Sequence, residues 1–192
     1  MPWLCTRAFK LAYDRSPADY RARGSHAAYK AANRDSDARG FEIDLVNIEE
    51  KYCAGVAHQG SYMQIDRAMG ALFGGLAAQN LIGPETAMMA LFHDDPDAVD
   101  EDKLRSIACS PVPVGTALQG PLEKTLVHGG LYAKLPYTGP YSDMTDAYRW
   151  LFGVWLPKSG YEAAEFPVFE AYLNDPREVP PTERRTDIYL PL

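Results

Sequence analysis

The stretch YTGPYSDMTDAYRWLFGVWLPKSGYEAAEFPVFEAYLNDP, Tyr137–Pro176, holds a turn, an aromatic amphipathic helix and a strand that carries one acidic residue, Glu170. After Pro140, the residues Met144, Tyr148, Leu151 and Trp155 recur at helical spacing and form one stripe. Farther on, Val168, Glu170 and Tyr172 share one face of a strand, with Phe169 and Ala171 on the other. The chain contains this unit twice. At an offset of 79, Gly139, Tyr141, Leu151 and Phe152 fall on Gly60, Tyr62, Leu72 and Phe73. A one-residue insertion makes the offset 80, and FEAYLNDP then falls on MALFHDDP, with Asp175-Pro176 on Asp95-Pro96 and Glu170 on Ala90.

Working outward, the first copy starts at Phe41, where Phe41, Ile43 and Leu45 alternate as a strand with a turn-like NIEEK in its middle. Tyr62–Asn80 follows as a helix with Ile65, Met69, Leu72, Phe73 and Leu76 on one face. The pair Gly74-Gly75 would weaken an ordinary helix, so close packing is expected there. Thr86–His93 and Leu104–Pro111 read as strands, and the second copy ends in a strand over Arg185–Leu190. The expected fold is α+β. Two pseudo-symmetric β-α-β-β modules, residues 41–118 and 119–192, form an antiparallel sheet with helices on one face and a ligand pocket at the junction.

Composition limits the function classes. Three widely spaced cysteines among 192 residues, Cys5, Cys53 and Cys109, argue against a disulfide framework and suit a reducing cytoplasm, the expected location. No run of about 18 apolar residues suggests a membrane span. The net charge of -7 is uneven: +4 over residues 1–40 and -11 over residues 41–192. An acidic domain is a poor surface for nucleic acid and a reasonable host for cations. His93-Asp94-Asp95 reads as a strand-ending turn, because it falls on Leu173-Asn174-Asp175, so no metal or other cofactor is expected. No signal in the sequence sets an oligomeric state.

Before the repeat, Ser16-Pro17-Ala18-Asp19 is a strong helix start. RAFKLAYDRSPADYR, Arg7–Arg21, resembles the end of the DNA-binding domain of AraC-type transcription regulators through Phe9, Lys10, Ser16, Pro17, Tyr20 and Arg21. Residues 1–22 thus read as a helical remnant of such a domain and 23–40 as a linker. One helix pair has too little apolar surface to fold alone, so this truncated chain is not expected to bind DNA.

Symmetry-related modules share structural residues, and function is expected where they differ, at Glu170 opposite Ala90. A carboxylate between apolar and aromatic neighbours in mid-strand is expensive to bury unless something pairs with it. A ligand cation would complete the pair, aided by aromatic faces. A salt bridge to Arg149, Arg184 or Arg185, or a solvent-facing position, is the alternative account.

YTGPY with its aromatic helix, PVFEAYLNDP, the terminal DIYLPL and the earlier HQGSY together resemble the GyrI-like small-molecule-binding family, which supplies effector-binding domains to AraC-type and MerR-type regulators. The resemblance spans residues 41–192. It implies a sensor for small hydrophobic, often cationic aromatic molecules, with Glu170 in the pocket. By position, Tyr62, Phe73, Tyr141, Tyr148, Trp150, Trp155, Tyr172 and Tyr189 are the aromatic candidates to line it. Phe73 and Tyr148 fall on the helix stripes that face the sheet, where core packing explains them too. Some relatives in this family open cyclopropane rings of toxic natural products, which would make Glu170 a water-activating base assisted by Tyr141. Others are named as gyrase inhibitors.

Overall fold

The structure is a computed structural model that describes residues 40–192; the helical remnant expected over residues 1–22 and all but the last residue of the linker expected over residues 23–40 lie outside the described residues. The first module comprises β1 (Asp44–Ile48), β2 (Lys51–Gln59), α1 (Asp66–Ala78), β3 (Met88–Phe92) and β4 (Arg105–Pro111). The second repeats it with β5 (Glu123–Val127), β6 (Gly130–Thr138), α2 (Met144–Trp150), a π-helical turn at Leu151–Trp155, α3 (Leu156–Ser159), β7 (Val168–Tyr172) and β8 (Arg185–Pro191). One eight-stranded sheet in the order β1-β6-β8-β7-β3-β4-β2-β5 joins them. Every pairing in it is antiparallel.

The turn-like NIEEK does not reverse the chain into a hairpin. β1 pairs with β6 and β2 with β5, so one kinked strand crosses from the edge of the second module to the first. The register runs through the break without slip, Ile48 opposite Gly130 and Lys51 opposite Val127. The crossing is tight at Gly129, where a Cβ would come within 2.8 Å of the Glu50 nitrogen. A side chain does not fit there, which gives Gly129 a packing role. At the middle of the sheet β3 meets β7, and Ala90 faces Glu170 directly. The pseudo-twofold axis relating the modules therefore passes between the two residues that the sequence repeat equates.

Both helices lie on one sheet face. α1 buries Ala68, Met69, Leu72 and Leu76 against Ala54, Val56, Ala90 and Ala108. α2 and the π turn bury Met144, Ala147, Leu151 and Val154 in the equivalent place, the first three against Leu135, Ile188 and Leu190. Fully burying one leucine contributes about 1.5–3 kcal/mol. That outweighs the roughly 1 kcal/mol each that Gly74 and Gly75 cost α1. Close packing is realised at Gly75, whose Cβ would approach Leu122 to 2.9 Å, and not at Gly74, which faces open space. The opposite sheet face is apolar as well, around Met89, Leu91, Phe169, Tyr132 and the buried free thiols of Cys53 and Cys109.

The π turn has a local cause. Leu156 N–H donates to Leu151 O, five residues back, and Pro157 follows with no N–H to return. A proline ring also crowds the carbonyl of the preceding turn, and widening that turn relieves the clash. The helix resumes for one turn and ends at Gly160 with φ of 79°.

Candidate functional site

Glu170 sits in mid-β7 on the helix-bearing face and is only 6% exposed. Tyr148, on α2, reaches down and donates its hydroxyl to Glu170 Oε1 at 2.7 Å. Tyr172, two residues along the same strand face, brings a second hydrogen-bonding hydroxyl. Among the described residues no Lys, Arg or His pairs with Glu170. Of the arginines that could have paired with it, Arg149 and Arg185 are exposed, and Arg184 lies over the ring of Tyr141 with its Cζ 4.8 Å from the centroid. Burial raises the Glu170 carboxyl above the usual carboxylate range, and the Tyr148 and Tyr172 hydroxyls offset part of that rise. Burial likewise pushes both phenols well above their ordinary value, and the neighbouring Glu170 pushes them further.

The repeat shows where this polar group departs from the first module. Met69 occupies the Tyr148 position in the first module, Phe92 the Tyr172 position, Ala90 the Glu170 position and Leu104 the Arg184 position. In every pair the second module carries the polar side chain. The surrounding rings remain symmetric. Tyr62 meets Phe92 edge to face at 4.8 Å, and Tyr141 meets Tyr172 edge to face at 5.7 Å. The Tyr62 hydroxyl is held by Asp94 O at 2.8 Å, and burial drives it up to about 12.

The aromatic candidates separate on this geometry. Tyr148, Tyr172 and Tyr141 gather about Glu170, and Tyr62 acts electrostatically on Tyr148 from the first module. Phe73 belongs to the packing of α1. Trp150 packs on Phe41 at 5.5 Å, and Trp155 stacks on Tyr161 at 6.4 Å. Tyr189 lies on the opposite sheet face, stacked on Phe169 at 4.3 Å, because Phe169, and not Glu170, is its register partner. Two neighbours were absent from the sequence-derived set. These are Phe92 and Phe152; Phe152 is 42% exposed and stacks on Tyr148. Each aligns with an aromatic residue already singled out, so the repeat held the signal for both.

With Tyr148 over it, the acid is closed off from solvent. An open depression of about 420 Å³, lined by Leu91, His93, Lys124 and His128 among others, lies elsewhere and does not include Glu170. Among the described residues, no cluster of three or more His, Cys, Asp or Glu could hold a metal ion, and no helix is long and apolar enough to cross a membrane. A buried carboxyl roofed by aromatic rings and without a cation of its own can take up a cation from outside, with the charge neutralised inside a low-dielectric setting.

Known proteins share this fold. A family model described as the GyrI-like small molecule binding domain matches residues 41–192. A DNA gyrase inhibitor of Erwinia billingiae is 29% identical over 139 residues, covering 70% of this chain and 88% of that protein. Among solved structures, the EcmrR C-terminal domain superposes with a TM-score of 0.68 at 17% identity, covering 79% of this chain and 96% of its own. A hydrolase of Listeria innocua encoded by lin2189 gives 0.57 at 13% identity, covering 85% and 97%. SAV2435 bound to tetraphenylphosphonium gives 0.51 at 12% identity, covering 78% and 93%.

Proposed function

Because the chain belongs to the GyrI-like small-molecule-binding family over residues 41–192, we propose that it is a sensor domain of a transcription regulator that takes up small hydrophobic molecules, often aromatic cations. The observation that carries this reading is Glu170: 6% exposed, hydrogen-bonded to Tyr148 and unpaired with any cation among the described residues. An aromatic cation would supply the missing charge and lay its rings against Tyr148, Tyr172, Tyr141 and Tyr62. Two fold relatives support it, the C-terminal domain of EcmrR and SAV2435 bound to tetraphenylphosphonium, itself an aromatic cation.

Isothermal titration with tetraphenylphosphonium tests the reading. Replacing Glu170 by Gln removes a charge-assisted contact of about 1.5–3 kcal/mol, so affinity at neutral pH falls by roughly 10- to 150-fold. Binding also weakens as pH falls through the raised Glu170 value, since the protonated acid offers no charge. Unchanged affinity in the Gln variant removes Glu170 from the site.

The raised carboxyl is suited to a general base as well. In that reading Glu170 activates water against a strained ring, with Tyr141 polarising the substrate. Addition of water to a cyclopropane-containing toxin, followed by mass spectrometry, distinguishes it from binding alone.

A further inference from the structure

One basic side chain brought to the aromatic row beside Glu170 has no part in the reading above. Arg184 stands where the first module has Leu104, an apolar residue only 3% exposed. Its guanidinium lies over Tyr141, Cζ to centroid 4.8 Å. Its Nε is buried with no hydrogen-bond partner, and among the described residues its one directional contact is a long 3.4 Å bond from an Nη to Pro176 O. Among the described residues no carboxylate pairs with it. Asp175, whose charge also reaches Tyr141, though less than that of Glu170, is paired instead with Arg177 at 2.6 Å.

Stacking on Tyr141 satisfies the face of the guanidinium but not its edge. The five N–H donors lie in the plane, in a fork matched to carboxylate or phosphate oxygens. An Nε without a partner in a buried position is unfavourable and stands ready for an acceptor. The fork is also close to the acid site. Arg184 lies on Tyr141, Tyr141 meets Tyr172 edge to face at 5.7 Å, and Tyr172 neighbours Glu170. Opposite charges thus stand at the two ends of a short aromatic row and do not neutralise each other. Tyr141 feels both, as Arg184 draws its hydroxyl down and Glu170 pushes it up within a larger rise caused by burial.

We propose that Arg184 makes the site selective for aromatic zwitterions, with the cationic end of the ligand on Glu170 and a carboxylate, or an anion of like shape, on the Arg184 fork. This rests on Glu170 receiving the cation, as argued above, and adds a second point of recognition. The first module lacks both ends, with Ala90 and Leu104 in their places.

Two dyes that differ only in the acid provide the test: rhodamine 110, with a free carboxylate, and rhodamine 123, its methyl ester. Fluorescence anisotropy titrations would be run on the wild-type chain and on Arg184→Leu, Arg184→Lys and Glu170→Gln, each checked by thermal melting. The wild type is expected to bind the acid about tenfold more tightly than the ester, since charge-assisted hydrogen bonds are worth that much. Arg184→Leu should abolish the preference and leave ester binding intact. Arg184→Lys should restore part of it, because an ammonium keeps the charge without the fork. Equal binding of the two dyes by the wild type, or an equal loss of both in Arg184→Leu, overturns the role of Arg184. If the ester still binds and weakens in Glu170→Gln, the cation site stands without it. If neither dye binds, both readings fall together.

Discussion

A single buried carboxyl sets the character of this site, and its effect on stability follows from its titration. The folded protein holds Glu170 above the usual carboxylate range because burial disfavours the charge. A carboxyl raised on folding leaves stability complete below the unfolded value and removes it as pH rises through the folded one. Glu170→Gln should therefore raise the melting temperature at pH 7.5 and change it little at pH 4. Relief of an unpaired buried charge of about 1–3 kcal/mol corresponds to roughly 2–10 °C in a domain of this size. An equal gain at both pH values would mean that packing, not charge, is responsible. Under the proposed function the same substitution is expected to weaken cation binding, so this position would trade stability for ligand uptake. Glu170 was legible in the sequence because its counterpart, Ala90, is apolar. The Tyr148 hydrogen bond was not, since tyrosine on a buried helix stripe reads equally well as core. The facing of Tyr189 was hidden for another reason. Both faces of the sheet centre are apolar, so alternation along β8 does not say which face meets the helices.

The elements show which local irregularities matter. Adjacent glycines in α1 have opposite surroundings. Gly74 faces open space, while a Cβ on Gly75 would press on Leu122 at 2.9 Å. Gly74→Ala should stabilise by about 0.5–1 kcal/mol through helix propensity. Gly75→Ala should destabilise by about 1–3 kcal/mol through overpacking. Urea denaturation of the two variants measures the contrast, and shifts of the same sign would contradict the packing described. The helix and strand positions were readable from period and turn residues, to within a few residues at the ends. The path of β1 into β2 was not. A two-residue break at Glu49-Glu50 looks like a tight hairpin, and only the partners β6 and β5 show that the chain goes on across the molecule. The widened turn at Leu151–Trp155 was likewise unread, although Pro157 supplied its cause.

At the scale of the whole molecule, the duplicated modules meet at β3 and β7 with Ala90 and Glu170 as direct partners. Direct antiparallel partners hold their Cα atoms about 4.5–5.5 Å apart. Ala90→Glu would set two carboxyls face to face in a buried place, where one is forced to hold its proton. The expected result is a loss of about 3 kcal/mol or more at pH 7.5, largely recovered at pH 4.5, as followed by thermal melting. A loss that does not depend on pH would point to crowding. The meeting of the two halves on this pair has a further consequence. If two separate copies of one module assembled into a homodimer, every residue on the axis would face its own duplicate, and an acid there would always come as two. Joining the halves in one chain lets them diverge, and a lone charge can occupy a point that symmetry would otherwise double. The protein should accordingly take up one ligand molecule per chain, although nearly everything around that ligand is present twice.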